Sequence, residues 1–124
     1  MRAIKFRAQD IASNKWLYGD VRHHKEDVCI FEQGGTKGEQ VKRETVGQFT
    51  TLHDINGKEI YEGDILEVNY ADEESYLEVR FVRGVFAFLW NGDLDDEFPC
   101  NAPTHEWARV VGNIFDNPEL IPKR

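Results

Sequence analysis

Between Asp64 and Trp90 the chain alternates apolar and polar residues in consecutive runs, and this constrains the fold more than any other feature. A period of two sends successive side chains to opposite faces, which is strand geometry. In the first run Leu66, Val68 and Tyr70 share one face and Ile65, Glu67 and Asn69 the other. In Tyr76–Val82, Leu77, Val79 and Phe81 oppose Glu78 and Arg80. Val85–Trp90 is apolar on both sides, with Phe86, Phe88 and Trp90 facing one way and Val85, Ala87 and Leu89 the other. Such a strand is central, or sealed on its back by another element or subunit. The acidic stretch Ala71–Ser75 and the pair Arg83-Gly84 supply the turns. Residues 64–90 therefore read as an antiparallel meander.

The remaining signals are short and mostly of the same kind. Ile4, Phe6 and Ala8 alternate with Lys5 and Arg7, and Lys15–Tyr18 reads as a partner strand. Residues 19–26 are polar, Val28–Phe31 is a brief apolar run, and Gly34, Gly35 and Gly38 mark residues 33–40 as a flexible loop. Val46–Thr50 is strand-like. Asn56-Gly57 is a strong two-residue turn signal, because both residues tolerate positive φ. Gly63 permits a tight bend, and Asp64 is placed to cap it with a backbone hydrogen bond. Residues 91–106 form a long acidic loop with a helical turn at its end. Trp107–Val111 is a closing strand broken by Gly112, and residues 117–124 are a tail that needs a neighbour. No helix longer than two turns is predicted. Short strands joined by Gly-rich turns predict a mostly β protein. It is expected to hold a small SH3-like (pseudo)barrel over residues 46–124, with a β-rich N-terminal part over residues 1–45.

Charge narrows the partners. The net charge is −8, which repels phosphate backbones at long range. The distribution is uneven: residues 1–45 carry nine basic and seven acidic side chains, a net +2, and residues 46–124 carry six and 16, a net −10. A small basic face around Lys5, Arg7, Lys15 and Arg22 is therefore possible, and it can equally pair with an acidic surface of the same molecule or of a neighbouring subunit. Cys29 and Cys100 make neither a disulfide framework nor a CxxC pair. The opening MRAIKFRAQD has no apolar core of a signal peptide and no apolar run reaches membrane-spanning length, so a cytoplasmic protein is expected.

No catalytic or metal constellation stands out. His23, His24, His53 and His105 form no zinc motif, and adjacent His23 and His24 diverge if extended. Asn91, Asp93 and Asp95 have the opening spacing of a calcium loop, but Asp96 and Ala102 occupy the places where such a loop needs Gly and Glu. Asp54, Glu59, Glu62 and Asp64 crowd one turn-rich region without the environment that would make a general acid–base pair. No catalytic residue, metal or cofactor is expected. The aromatic residues either all pack in the core or leave a surplus for a subunit or partner surface, for which Trp16, Phe86, Phe88 and Trp90 are the candidates.

Three stretches resemble the YopX-like proteins of bacteriophages and prophages, found mostly in low-GC Gram-positive bacteria. They are Ile4–Ala8 through Asp10; Gly47–Thr50 with Leu52, Asp54 and the run Asn56–Ile65; and Val111–Ile114 through Asn117–Leu120. Two positions depart from that pattern: Gln9 stands where the family usually has tryptophan, and Thr51 where it usually has glycine. The resemblance implies a β-rich protein with a barrel-like C-terminal part that self-associates, and it implies no catalytic residues. Asn56, Gly57, Gly63, Asp64 and Gly112 are read as turn-forming residues. The functional expectation is a phage or prophage accessory protein, a self-associating adaptor or regulator that binds a host or phage protein in the host cytoplasm. Alternatives are a nucleic-acid-associated barrel using the basic face, and a small-molecule enzyme, which would need a concave pocket with convergent polar groups.

Overall fold

The computed structural model describes residues 4–32, 35, 37–70, 73–94, 97–99 and 104–121. It is mostly β, built from two antiparallel sheets, and divides into two compact units, Met1–Thr51 and Leu52–Arg124. The division falls later than residue 45 because the strand at residues 47–53 pairs with the first strand of the chain.

The first unit contains β1 (Phe6–Gln9), β2 (Trp16–His24), β3 (Asp27–Phe31), β4 (Gly38–Gln40) and the start of β5 (Gly47–His53). Hydrogen bonding orders them β4-β3-β2-β1-β5. Two features depart from the sequence reading. The polar stretch 19–26 is the second half of β2 and its turn, held by a register that runs from Asp20 opposite Phe31 to His24 opposite Asp27. The Gly-rich loop contributes a strand, β4, opposite Cys29–Phe31. Gly38 is what admits it, since a Cβ there would meet the Phe31 ring at 2.5 Å. The inward face packs Ala8, Val28, Ile30 and Val41, with Phe6, Leu17, Val21 and Val46 around them. Beyond β4, Val41 bridges to Asp10 at the end of β1. The Ile11 amide donates to Gln40 (3.1 Å) and the Lys42 amide to Gln9 (2.9 Å) on either side of that bridge. The chain thus returns to its own first strand through one bridge rather than through a full strand pair.

In the second unit, β5 turns into β6 (Glu59–Tyr61), and a five-stranded sheet follows in the order β10-β9-β8-β7-β11. Its members are β7 (Asp64–Tyr70), β8 (Glu73–Val82), β9 (Val85–Trp90), β10 (Glu97–Pro99) and β11 (Arg109–Asn113), with a short helix α1 (Thr104–Trp107) before β11. The meander read from the alternation is β7-β8-β9, with Leu66 opposite Leu77 and Val79 opposite Phe88. Ile60, Leu66, Val68, Leu77, Val79, Phe88 and Ala108 form its core. The sheet is consistent with an SH3-like arrangement, but the expected barrel is not closed: among the described residues β10 and β11 remain edges. Two local features explain this. The strand β10 is three residues long and ends in Pro99, which has no N–H for a further ladder. The outward Val110 amide of β11 is occupied by a side chain, described below.

The tail has its neighbour within this unit. Asn117 Oδ1 accepts the Asn113 amide at 3.2 Å, and Asn117 lies so close to Gly112 that a Cβ there would meet Oδ1 at 2.5 Å. Ile121 packs against Gly92 in the same way.

Thr51, at the position where the family usually has glycine, keeps the backbone that glycine favours: its φ is 72°. For a β-branched residue this region is strained by about 1–2 kcal/mol. Thr51→Gly is expected to raise stability by about 1 kcal/mol, after glycine's own entropic cost, as read by the midpoint of urea unfolding. An unchanged or lowered midpoint would show that the strain is absorbed elsewhere.

Candidate functional site

Four places bear on function, and the one richest in polar contacts is structural. Asp54, 2% exposed, lies between β5 and β6. Its Oδ1 accepts the amides of Asn56 (2.8 Å) and Lys58 (2.8 Å), and its Oδ2 accepts the Val110 amide of β11 (3.0 Å). The Asn56-Gly57 signal marks a longer loop than a two-residue turn. The Gly57 amide donates to the Asp54 carbonyl, and Gly57 rather than Asn56 takes positive φ (80°). Burial works to raise the Asp54 pKa, but the amides of Val110, Lys58 and Asn56, helped by the Lys58 charge, outweigh it and hold the carboxyl below its ordinary value. One bend later, Asp64 accepts the Tyr61 amide at 2.7 Å, with Gly63 at φ 94°. Both Asp54 oxygens and one of Asp64 accept backbone amides, so Asp54 has the chemistry of a clamp.

The aromatic candidates separate. Phe88 is wholly buried and packs edge-to-face on Trp107 at 5.9 Å, so it offers a partner no surface. Trp90 is half-buried against the same core. Phe86 stacks edge-to-face with Phe81 at 5.1 Å, and Phe81 is 48% exposed and Val85 55% exposed. The sequence reading missed Phe81 and Val85, because alternation assigns a face but does not tell how far the face is covered. Among the described residues the β7 ladder runs out at Ile65 opposite Glu78, with one further bond from the Gly63 amide to the Val79 carbonyl (2.7 Å), and the β10 pairing at Pro99 opposite Ala87. Phe81–Phe86 is therefore, among the described residues, a two-stranded ribbon, with Arg83 (φ 49°) and Gly84 (φ 83°) in its turn.

In the first unit, three of the four basic candidates lie over aromatic rings. Lys5 sits 5.3 Å from the Phe49 centroid, Arg7 4.6 Å from Trp16, and Arg22 4.2 Å from Phe31. Arg7 is buried and Arg22 exposed, so these pairs are not one continuous open platform. Lys15, in the exposed turn before β2, joins none of the three pairs.

A cleft of about 330 Å³ in the second unit has Ile55, Val68 and Trp107 in its walls, with Glu67, Glu74 and Arg109 beside them. Arg109 is ion-paired to Glu67. Among the described residues no group of three or more His, Cys, Asp or Glu side chains is arranged to hold a metal. His23 and His24 follow one another on β2, while Cys100, Asp95 and Asp96 lie outside the described residues. No helix among the described residues is long and apolar enough to cross a membrane.

Comparison with known proteins agrees with this architecture. The family model described as YopX protein matches residues 5–122, and the chain belongs to that family. A crystal structure of protein EF1440 from Enterococcus faecalis is similar, with a TM-score of 0.60 and 25% sequence identity, covering 98% of this chain and 100% of that one. No curated protein matches.

Asp54→Asn tests the clamp. One acceptor oxygen becomes an NH₂ group facing a buried donor, so a loss of about 1–3 kcal/mol at neutral pH is expected. The Asp54 pKa is depressed in the folded state. Its contribution is therefore present above the ordinary carboxylate value of about 3.9 and is lost as the pH falls through the lower folded value. The gap between wild type and Asp54→Asn in urea unfolding should accordingly shrink below about pH 4. A gap independent of pH would show that charge plays no part.

Proposed function

We propose that this is a phage or prophage accessory protein that works by binding protein, first of all another copy of itself, as an adaptor or regulator. The observation that carries this reading is the projecting ribbon Phe81–Phe86. Exposed Phe81, on the face it shares with Phe86, and exposed Val85, on the opposite face, put apolar surface into solvent on both sides of the ribbon, from a unit otherwise dominated by acidic side chains, and covering that surface is favourable. The family membership supplies the phage and prophage setting. Both oxygens of Asp54 and one of Asp64 accept backbone amides, which favours binding over catalysis. The test is light scattering across a concentration series. Mass rising above 14.4 kDa with concentration supports the reading; a monomer throughout overturns self-association.

A second reading, a nucleic-acid-associated protein, is favoured by the pairing of Lys5, Arg7 and Arg22 with rings. Aromatic side chains interleaved with Arg and Lys are what single strands stack upon. This reading expects binding to a fluorescent oligonucleotide that falls steeply with added salt and weakens in Arg22→Ala. Absence of binding at low salt would remove it.

A further inference from the structure

We propose that the Phe81–Phe86 ribbon of one copy docks into the Ile55–Trp107 cleft of the next, a head-to-tail contact between unlike surfaces. This rests on the self-association reading above and names the surfaces that would perform it.

The two surfaces are complementary. The ribbon presents Phe81 on one face and Val85 on the other, beside a turn that holds Arg83. The cleft has apolar Ile55 (55% exposed), Val68 and Trp107 in its walls and the carboxylates of Glu67 and Glu74 beside them. Its volume of about 330 Å³ is at the small end of ligand clefts, roughly 300–1,000 Å³, and suits one or two side chains rather than a whole element. Glu67 is already paired with Arg109, which lines the same cleft, so the charge contact to Arg83 falls to Glu74, beside apolar walls that would take Phe81.

They cannot meet within one molecule. Glu74 pairs with Asn69 at one end of β8, and Phe81 pairs with Phe86 at the other. Seven residues of strand, at about 3.3 Å each, hold them roughly 23 Å apart. Complementary patches at opposite ends of one rigid sheet satisfy each other only between copies, giving a ring if the rotation closes and a filament if it does not.

Among the described residues the edges of this five-stranded sheet offer no simpler route. An extended strand adding to β11 would need the Val110 amide, which Asp54 already holds, and the Ile55 amide donates to the Ala108 carbonyl at 2.9 Å. At the other edge stands the three-residue β10 with its proline. Association through side chains is what these edges leave open.

The experiment uses two single-surface variants, Phe81→Glu and Ile55→Glu, each at an exposed position, with near-ultraviolet circular dichroism to confirm that both fold. Sedimentation velocity is run on wild type, on each variant and on their equimolar mixture. The expected result is association in wild type, weakened by roughly a hundredfold in each variant alone. In the mixture a heterodimer should form, because the intact ribbon of Ile55→Glu still fits the intact cleft of Phe81→Glu. Adding Arg83→Glu to Ile55→Glu should weaken that heterodimer, and adding Glu74→Arg to its partner should restore it. Variants that associate as wild type does, or a mixture in which no heterodimer forms, would overturn this contact while leaving self-association standing. A monomeric wild type would overturn both.

Discussion

One buried carboxylate holds the second unit in register. Asp54 reaches across 56 residues of sequence to the Val110 amide while wrapping its own loop around Asn56 and Lys58. A carboxylate suits this position because it only accepts, and the groups hydrogen-bonded to it are backbone donors. By taking the Val110 amide it also decides that the sheet stays open at β11, since no further strand can use that donor. The Arg109–Glu67 pair lies one residue away on the same strand. The walls of the cleft, from Ile55 to Trp107, are therefore positioned by the loop and strand that Asp54 ties together.

The legibility of the fold follows burial. Where a strand is covered on one face or both, as in β7, β8 and β9, the alternation of Leu66, Val68, Leu77 and Val79 gave strand, partner and face together. The second half of β2 was illegible because Asp20, Arg22, His23 and His24 are exposed, so no apolar period marks them. Their pairing is imposed by β3, not by their own side chains. The strand β4 was hidden for a related reason: Gly38 reads as flexibility, while its function is to make room for the ring of Phe31. Tertiary context overrides local propensity in both places.

The candidate surfaces were legible as residue types but not as geometry. An excess of aromatic residues pointed to an interface, yet alternation placed Phe88 and Phe81 on equivalent footing. One is wholly buried under Trp107 and the other stands half in solvent, where among the described residues β8 and β9 pair only with each other. Likewise Lys5, Arg7 and Arg22 read as a basic face, while the structure pairs each with a ring and buries Arg7. Cation–π contact explains how a guanidinium can sit deep in so small a unit.

The bridge between Asp10 and Val41 bears on how the first unit assembles. Its hairpins β1-β2, β2-β3 and β3-β4 each close a short loop, so their entropy cost is met locally and early. The bridge joins positions about thirty residues apart and adds few hydrogen bonds, so it gains only once all three hairpins stand. It therefore acts as a latch: last to form, first to open, and reported by the Ile11 and Lys42 amides in hydrogen exchange ahead of the hairpins they secure.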